Sequence, residues 1–279
     1  MDRRNIILDI TSKKGKSNIV AMTCYSAQFS SIFDKYADIL LVGDSLGMII
    51  YGFENTIKVS LRMMIDHGKA VVKTTKKSLV AIDLPFGTYE SSKEKAFATA
   101  AKLISKTEAN AVKIEGGIEL AETIKFLVDR GIPVIGHIGL LPQRIQSTGK
   151  FSVKGKSQNE EKKIINDAKS IQKAGAFACV VEAVTENLGR KITKNLSIPT
   201  IGIGAGRYCD GQILVTDDLL GLYNKFTPKF VKKYANLTKN VDDAVKKYSK
   251  DVISGNFPDK DNIYKWGYII PFNIEKIWS

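Results

Sequence analysis

The sequence contains short apolar segments that recur about every 20 to 40 residues, separated by stretches with helical periodicity. Most of these segments are apolar throughout instead of alternating, which is typical of parallel strands that are covered on both faces. Eight segments of this kind predict eight buried strands. The predicted strands are Ile19–Tyr25, Asp38–Asp44, Leu79–Phe86, Ala111–Gly117, Ile132–Leu140, Phe177–Val184, Ile198–Gly206 and Gln212–Thr216.

The stretches between the strands carry amphipathic helical patterns. In Ser92–Lys106, Ile118–Arg130 and Ser157–Ala174 the apolar residues fall on one helical face. Gly131 and Gly175 follow two of these helices as C-terminal stops. Eight strands alternating with helices predict an α/β protein, specifically a (β/α)8 TIM barrel. An open doubly wound sheet is the structural alternative, because strand order is not visible in a sequence.

The length of 279 residues fits one α/β barrel, since such barrels often reach roughly 250 residues as a single unit. We predict a catalytic barrel domain over residues 1–258 and a C-terminal extension of unknown role over residues 259–279. Helical stretches occupy the chain after about Leu220, and the last segment is rich in aromatic residues. These are Tyr264, Trp266, Tyr268, Phe272 and Trp278.

The formal net charge of +13 is the property that points towards a nucleic-acid or other polyanionic partner. Of the 42 basic residues, however, only seven are Arg, and these are scattered along the chain. Specific nucleic-acid readers favour clustered, bidentate Arg. We therefore predict a lysine-rich solvated surface and no nucleic-acid partner, with a non-enzymatic polyanion-binding protein as the alternative.

Cys24, Cys179 and Cys209 are odd in number, widely spaced, and placed in or beside apolar segments. This pattern predicts buried thiols in a reducing cytoplasm and no disulfide framework. Asp9 interrupts the first apolar stretch, which argues against a signal peptide. No apolar run approaches the roughly 18 residues of a membrane helix, so no membrane partner is expected.

Polar side chains interrupt the apolar segments where the predicted strands end. In a barrel the C-terminal strand ends meet at one mouth, so residues distant in sequence converge there. Carboxylates gathered in this way repel one another unless a cation or a proton lies between them. The strand-end residues are Asp44 with Ser45, Asp83, Lys113 with Glu115, His137 and Glu182.

The ligand types indicate which cation would fit. Asp44, Asp83 and Glu115 are hard oxygen donors, and the whole chain has only two histidines. This set favours Mg²⁺, which keeps waters and binds substrate oxygens, over Zn²⁺. His67 lies in a helical pattern and is expected to be structural, whereas His137 ends a strand and is expected to belong to the site.

The glycine run Gly202–Gly206 is similar to part of a dinucleotide-binding fingerprint, but Arg207 stands where the third glycine belongs. A glycine-rich loop at this place in a barrel could instead hold a phosphate. We expect a third role, in which glycine permits close backbone approach at the mouth.

Several long motifs, which occur in order between about Ile19 and about Phe230, resemble the ketopantoate hydroxymethyltransferase family. From about Asp259 the sequence has no counterpart in that resemblance. The motifs are Leu41–Met48, Asp83–Phe86, Val112–Gly117, Gly136–Leu140, Ile201–Gly206 and Asp210–Gln212.

The resemblance implies a cytoplasmic TIM-barrel enzyme of pantothenate and coenzyme A biosynthesis that forms a homodecamer. Such an enzyme transfers a hydroxymethyl group from 5,10-methylenetetrahydrofolate to 3-methyl-2-oxobutanoate and gives 2-dehydropantoate. One Mg²⁺ per subunit is expected, so that the keto acid can chelate it and become easier to deprotonate at C3.

The same resemblance assigns the metal to Asp44 and Asp83, with Glu115 completing the site directly or through water. Ser45 and Lys113 would hold the keto acid, and Glu182 would accept its proton. A strand-end position suggests that His137 orients the substrate. The predicted substrate-binding residues are therefore Asp44, Ser45, Asp83, Lys113 and His137.

Two further alternatives share the predicted barrel. An Mg²⁺-dependent lyase or mutase of the phosphoenolpyruvate mutase and isocitrate lyase type also uses the enolate of a 2-oxo acid, but the motif set favours the transferase. A metal-binding structural barrel without turnover would have no use for Glu182 and Lys113.

Overall fold

Eight parallel strands form a closed barrel in the computed structural model, which describes residues 3–149, 152–222 and 227–264. Each strand pairs with the next along the chain, and the last pairs with the first. The closed order confirms the TIM barrel and excludes the open sheet. The strands are β1 Ile19–Thr23, β2 Ile39–Val42, β3 Leu79–Asp83, β4 Ala111–Glu115, β5 Val134–Gly139, β6 Ala178–Glu182, β7 Thr200–Ile203 and β8 Gly211–Leu214.

Helices separate the strands, and several of the longer ones begin at a side chain that caps the first turn. Ser60, Ser92, Ser157 and Thr185 each accept a hydrogen bond from a backbone N–H three residues on. The helices are α1 Ile7–Thr11, α2 Ala27–Phe33, α3 Leu46–Ile49, α4 Leu61–Thr74, α5 Lys93–Thr107, α6 Ala121–Val128, α7 Ile145–Thr148, α8 Gln158–Lys173, α9 Glu186–Asn195, α10 Thr216–Leu220 and α11 Leu237–Ile253.

Every predicted strand overlaps an observed one, but the observed strands are shorter. The predicted strand Ile198–Gly206 shows why: Pro199 carries no N–H for the ladder, and Gly204 has a φ of +63°, so pairing spans only β7. A short 3₁₀ turn, Ile118–Leu120, occupies the start of the predicted helix Ile118–Arg130 and precedes α6.

The inside of the barrel is filled by every second residue of the strands, because side chains alternate across a strand. The same alternation carries polar side chains to the mouth. Asp83 stands two positions after Ala81, and Lys113 two positions after Ala111. The buried apolar residues of this inner cluster include Ile19, Ala21, Ile39, Leu41, Leu79, Ala81, Ala111, Ile135, Ala178, Val180, Ile201 and Ile213.

The other face of the strands packs against the surrounding helices in a second, larger cluster. The lysines of these helices point away from it: α5 and α8 each present four exposed lysines. Much of the positive charge therefore lies on the outer helical surface, as the sequence predicted. The exposed lysines of the two helices are Lys93, Lys95, Lys102, Lys106, Lys162, Lys163, Lys169 and Lys173.

The chain divides into two compact units, Met1–Tyr234 and Ala235–Ser279. The first contains the barrel. The second contains α11, all of whose residues are at least partly exposed. The predicted boundary between residues 258 and 259 stays a prediction, and the predicted aromatic residues after Tyr264 lie outside the described residues. In the described part of the chain, no helix has both the length and the apolar character needed to cross a bilayer.

Candidate active site

A cavity of about 600 Å³ opens at the C-terminal ends of the strands. Its volume is in the range of about 300–1,000 Å³ that holds small-molecule ligands. All of the site residues predicted from the sequence lie in its wall, so the structure brings together side chains from β3 to β6 and from the loop after β2. They are Asp44, Ser45, Asp83, Lys113, Glu115, His137 and Glu182.

Lys113 is the positive centre of the cavity. Its ammonium lies 3.3 Å from Asp83 Oδ1, 3.8 Å from Glu115 Oε1 and 3.0 Å from His137 Nδ1. Burial alone would lower the pKa of Lys113, but the surrounding carboxylates, Asp83 first, raise it above its usual value. Lys113 therefore stays protonated although only 5% of its side chain is exposed.

Asp44 and Asp83 are the carboxylates least compensated by the protein. The backbone N–H of Asp44 donates to Asp83 Oδ2 over 3.0 Å, whereas the buried Asp83 Oδ1 has no hydrogen-bond partner. Burial raises the pKa of both groups; for Asp44, the neighbouring Asp83 and Glu115 raise it further. Lys113, 3.3 Å from Asp83 Oδ1, offsets this rise only in part, and the pKa of both carboxyl groups stays raised. A bound cation would supply the remaining positive charge.

Glu115 differs from these two aspartates because its charge is already balanced. Burial raises its pKa, but His137, Lys113 and the backbone N–H of Gln143 lower it below its usual range. The Gln143 N–H donates to Glu115 Oε2 over 3.0 Å, and His137 Nδ1 lies 3.4 Å from Glu115 Oε1. Glu115 is therefore suited to act on a cation through water.

Gln143 is a site residue that the sequence reasoning missed. Its amide donates to Asp44 Oδ2 over 2.8 Å and to the Leu84 carbonyl over 3.0 Å. The amide oxygen accepts a 2.6 Å hydrogen bond from the Tyr89 hydroxyl. Gln143 thus links Asp44 to Glu115. The available signal was a polar residue only four positions beyond the end of β5.

Tyr25 was also missed, because it follows β1 in a stretch that reads as ordinary apolar core. Its hydroxyl lies 2.8 Å from Ser45 Oγ, so it fixes the hydroxyl of a predicted substrate-binding residue. The Tyr25 carbonyl is held in turn by His67 Nδ1 over 2.6 Å. His67 belongs to α4 and supports the site from outside the cavity wall.

Glu182 stands apart from the other carboxylates and is the most exposed of them, with 18% of its side chain accessible. Its Oε2 lies 3.2 Å from His137 Nε2. Burial and the Lys113 charge lower the pKa of His137, but Glu115 and Glu182 outweigh them and raise it above its usual value. A proton on Nε2 faces Glu182, and Nδ1 lies beside the Lys113 ammonium. His137 thus connects Glu182 to Lys113.

The glycine run shows the close backbone approach that was expected. Gly204 lies against Phe230, and an added Cβ would come within 2.7 Å of that ring. Gly206, with a φ of +82°, lies against Glu186 in the same way, since an added Cβ would be 2.5 Å from its Cγ. Glu186 also pairs with Arg207 over 3.0 Å.

The residues present fit a magnesium site in which the protein supplies only some of the metal ligands. No group of three or more His, Cys, Asp or Glu side chains in residues 3–149, 152–222 and 227–264 is arranged to enclose an ion. Magnesium, however, usually takes one or two carboxylates and completes its shell with water and substrate oxygens. Asp44 with Asp83, whose Oδ1 has no hydrogen bond, is a donor pair of this kind.

Comparison with known proteins finds one matching family and relatives with about half of their residues identical to this chain. The model of the ketopantoate hydroxymethyltransferase family matches residues 4–260. The 3-methyl-2-oxobutanoate hydroxymethyltransferase of Bartonella tribocorum is 50% identical over 265 residues, covering 95% of this chain and 97% of that protein. The enzyme of the same name from Rhizobium etli is 52% identical over 256 residues, covering 92% and 94%.

Solved structures resemble the chain in fold at low sequence identity. A phosphonopyruvate hydrolase complex with oxalate and Mg++ has a TM-score of 0.60 at 11% identity, covering 93% of this chain and 90% of that one. A 2,3-dimethylmalate lyase of the PEP mutase/isocitrate lyase superfamily has a TM-score of 0.57 at 14% identity, covering 88% and 86%. These likenesses concern the barrel alone.

Proposed function

The chain belongs to the ketopantoate hydroxymethyltransferase family, and from this premise we infer that it transfers a hydroxymethyl group to 3-methyl-2-oxobutanoate. The proposed donor is 5,10-methylenetetrahydrofolate, and the proposed product is 2-dehydropantoate. The relatives that share about half of its residues are transferases by name, whereas the lyase and hydrolase of similar fold share 11–14%. The transferase is therefore preferred to a lyase or mutase.

The observation that carries the proposal is the division of the carboxylates within one cavity. Asp44 and Asp83 are buried and have raised pKa values, while Glu182 is more accessible and faces the same space from β6. The reaction needs such a division, with one group of acids to hold a cation and another to remove a proton. A purely structural metal barrel has no use for the second group.

Asp44 and Asp83 would hold the divalent cation, proposed to be one Mg²⁺ per subunit, and Glu115 would contact it through water. When bound, the cation withdraws electron density from the oxygens of a 2-oxo acid and makes the adjacent C–H easier to ionise. Ser45, fixed by Tyr25, donates to the keto acid, and the Lys113 ammonium offsets its negative charge.

Glu182 is the proposed proton acceptor at C3 of the keto acid. His137 orients this carboxylate through Nε2, while its other ring nitrogen, Nδ1, lies beside Lys113. The carbon that loses its proton then attacks the methylene carbon of the folate as the bond from that carbon to N10 breaks, and N10 takes up the proton held by Glu182. Water replaces N5 on the same carbon, so that its oxygen becomes the hydroxyl group, one of its protons passes to N5, and tetrahydrofolate leaves.

Two wider properties are proposed on the same basis. The family resemblance implies a homodecamer. A cytoplasmic location is favoured by the three cysteines, which are all free and buried, as expected in a reducing compartment.

The test is a reaction of the purified protein with 3-methyl-2-oxobutanoate, 5,10-methylenetetrahydrofolate and Mg²⁺, followed by detection of 2-dehydropantoate. We expect product that depends on all three components and disappears with Asp83→Ala. Absence of product with Mg²⁺, Mn²⁺ and Co²⁺ alike would refute the proposal. As a matched control, Asp129→Ala, which removes an exposed carboxylate paired with Lys125 on the surface, should leave the rate unchanged.

A further inference from the structure

The cavity is larger than the keto acid needs and has two chemically different walls. The wall built by the loop after β2 and by β3 to β6 carries most of the charged side chains. The opposite wall, built by β7, β8 and the segment that follows them, is mainly apolar. A second ligand with a large apolar surface fits this wall. Its residues include Ile203, Gly204, Ile213, Val215, Asp218 and Phe230.

Phe230 gives the apolar wall a flat surface. The ring packs on Gly204, where any side chain would collide with it, and 40% of the residue remains exposed although it lines the cavity. An exposed aromatic ring at a cavity wall is suited to stack on a flat heterocycle. The glycine at position 204 is thus what allows the ring to lie there.

Asp218 is the one acidic group of this wall. Only 9% of the residue is exposed, yet its carboxylate has no hydrogen bond or ion pair with any described residue. Burial, and then the neighbouring Asp217, raise the pKa of Asp218 to about 6, while Lys233 acts in the opposite direction. At neutral pH an ionised and nearly buried carboxylate therefore faces the cavity with no donor from the described residues, so its hydrogen bonds come from what fills the cavity, which a ligand with matching donors can do.

The pterin ring of a reduced folate carries the donors that this carboxylate lacks. Its N3–H and 2-amino group point from one edge of the ring and match the two oxygens of a carboxylate, in the way that a guanidinium does. The pyrimidine half of the reduced ring, which carries these donors, is flat and can stack on an aromatic side chain. Lys229, also in the wall, offers a positive charge to the glutamate carboxylates of the folate.

We propose that Asp218 and Phe230 form the pterin subsite, in which the Asp218 carboxylate accepts hydrogen bonds from N3–H and the 2-amino group while the ring stacks on Phe230. This rests on the proposed function, since it assigns the second substrate to the apolar wall of the same cavity. The keto acid then lies at the charged wall, and the methylene group lies between the two.

The test measures calorimetric binding of tetrahydrofolate and of the fragment 6-methyltetrahydropterin to the full-length protein. In Asp218→Asn we expect both dissociation constants to rise by the same factor, about 10- to 100-fold, because hydrogen bonds to a charged acceptor are lost. Deuterium exchange at C3 of the keto acid, without folate, should keep its parental rate. Asp217→Asn is the matched control, since Asp217 does not line the cavity.

Parental dissociation constants in Asp218→Asn would overturn the proposal. Weaker binding of tetrahydrofolate alone would also overturn it, because Asp218 would then contact the benzoylglutamate. Phe230→Ala is the second variant, and both ligands should bind it several-fold more weakly. If the parental protein binds tetrahydrofolate with these dependences but forms no 2-dehydropantoate, the proposed function fails while the subsite stands.

Discussion

Gln143→Met removes the one side-chain hydrogen bond that the described residues give to the Asp44 carboxylate. Methionine has almost the same length and fills the same buried space without polar atoms. The backbone N–H of residue 143 is unchanged and still donates to Glu115 Oε2. The variant therefore disturbs Asp44 while Glu115 keeps its contact.

The expected effect follows from the three contacts that the amide makes. The bond to Asp44 involves a charged acceptor and contributes about 1.5–3 kcal/mol, and those to the Leu84 carbonyl and the Tyr89 hydroxyl contribute about 1 kcal/mol each. Tyr89 keeps a longer bond to the Glu115 carbonyl. With the Tyr89 contribution largely retained in this way, we expect a free energy of unfolding about 2.5–4 kcal/mol lower. Groups that hydrogen-bond a metal ligand typically affect metal affinity by about 10- to 100-fold.

The assay is a calorimetric titration with Mg²⁺ in the presence of the keto acid, well below the melting temperature of the variant. Gln172→Met is the matched control, because the Gln172 amide oxygen accepts from the backbone N–H groups of Ser197 and Ile198, which precede β7 and do not line the cavity. The control should lower stability but leave Mg²⁺ affinity unchanged. Parental Mg²⁺ affinity in Gln143→Met would refute the positioning role of Gln143.

Other regions of the chain give further predictions. Asp34→Ala should lower the free energy of unfolding by about 1–3 kcal/mol in a denaturant titration, because the carboxylate accepts bonds of 2.7–3.0 Å from the N–H groups of Lys76, Lys77 and Ser78; an unchanged value would contradict this. Burial raises the pKa of Asp34, but these bonds outweigh it and hold the pKa below its usual range. Their stabilisation is therefore complete above the unfolded pKa of about 3.9 and is lost as the pH falls through the lower folded pKa. An acid titration of stability should show this loss in the parent and a shallower loss in Asp34→Ala. Burial raises the pKa of Cys24 to about 12, so a thiol reagent at pH 8 should modify it only as fast as the protein unfolds; rapid labelling of the native protein would exclude this.

The fold and the charged half of the site could be predicted because both depend on a simple repeat. A strand places every second side chain inside the barrel, so Lys113 and Glu115, two positions apart, necessarily face the same way. The C-terminal ends of five strands, β2 to β6, could be recognised in the sequence as points where an apolar run meets a polar or charged residue. That rule also located Asp83, His137 and Glu182.

The remaining site residues come from segments without such a repeat. Gln143 reaches Asp44 because a 3₁₀ turn, Pro142–Arg144, bends the chain back over the mouth after β5. Asp218 lines the cavity from the short helix α10, and Phe230 from the chain beyond it. The direction of such side chains depends on turn geometry and packing. Neither can be predicted from the periodicity of apolar residues in the sequence.

The charged and hydrogen-bonding neighbours of each carboxyl group also explain why the pKa of Glu115 differs from those of the two aspartates. In the sequence all three are equivalent oxygen donors at strand ends. In the structure, His137, Lys113 and the Gln143 N–H lower the pKa of Glu115 against the effect of burial, while burial and neighbouring carboxylates raise the pKa of Asp44. The register that places Glu115 beside His137 is a property of the closed barrel.

Glu182 is the proposed acceptor of the C3 proton of the keto acid. Deuterium exchange at C3, followed with Mg²⁺ and without folate, measures this step alone. For Glu182→Gln we predict a rate at least about 100-fold lower, as expected for loss of a general base, with keto-acid binding retained. Glu161→Gln, which removes an outer carboxylate paired with Lys191, should exchange at the parental rate. Exchange at the parental rate in Glu182→Gln would exclude Glu182 as the general base.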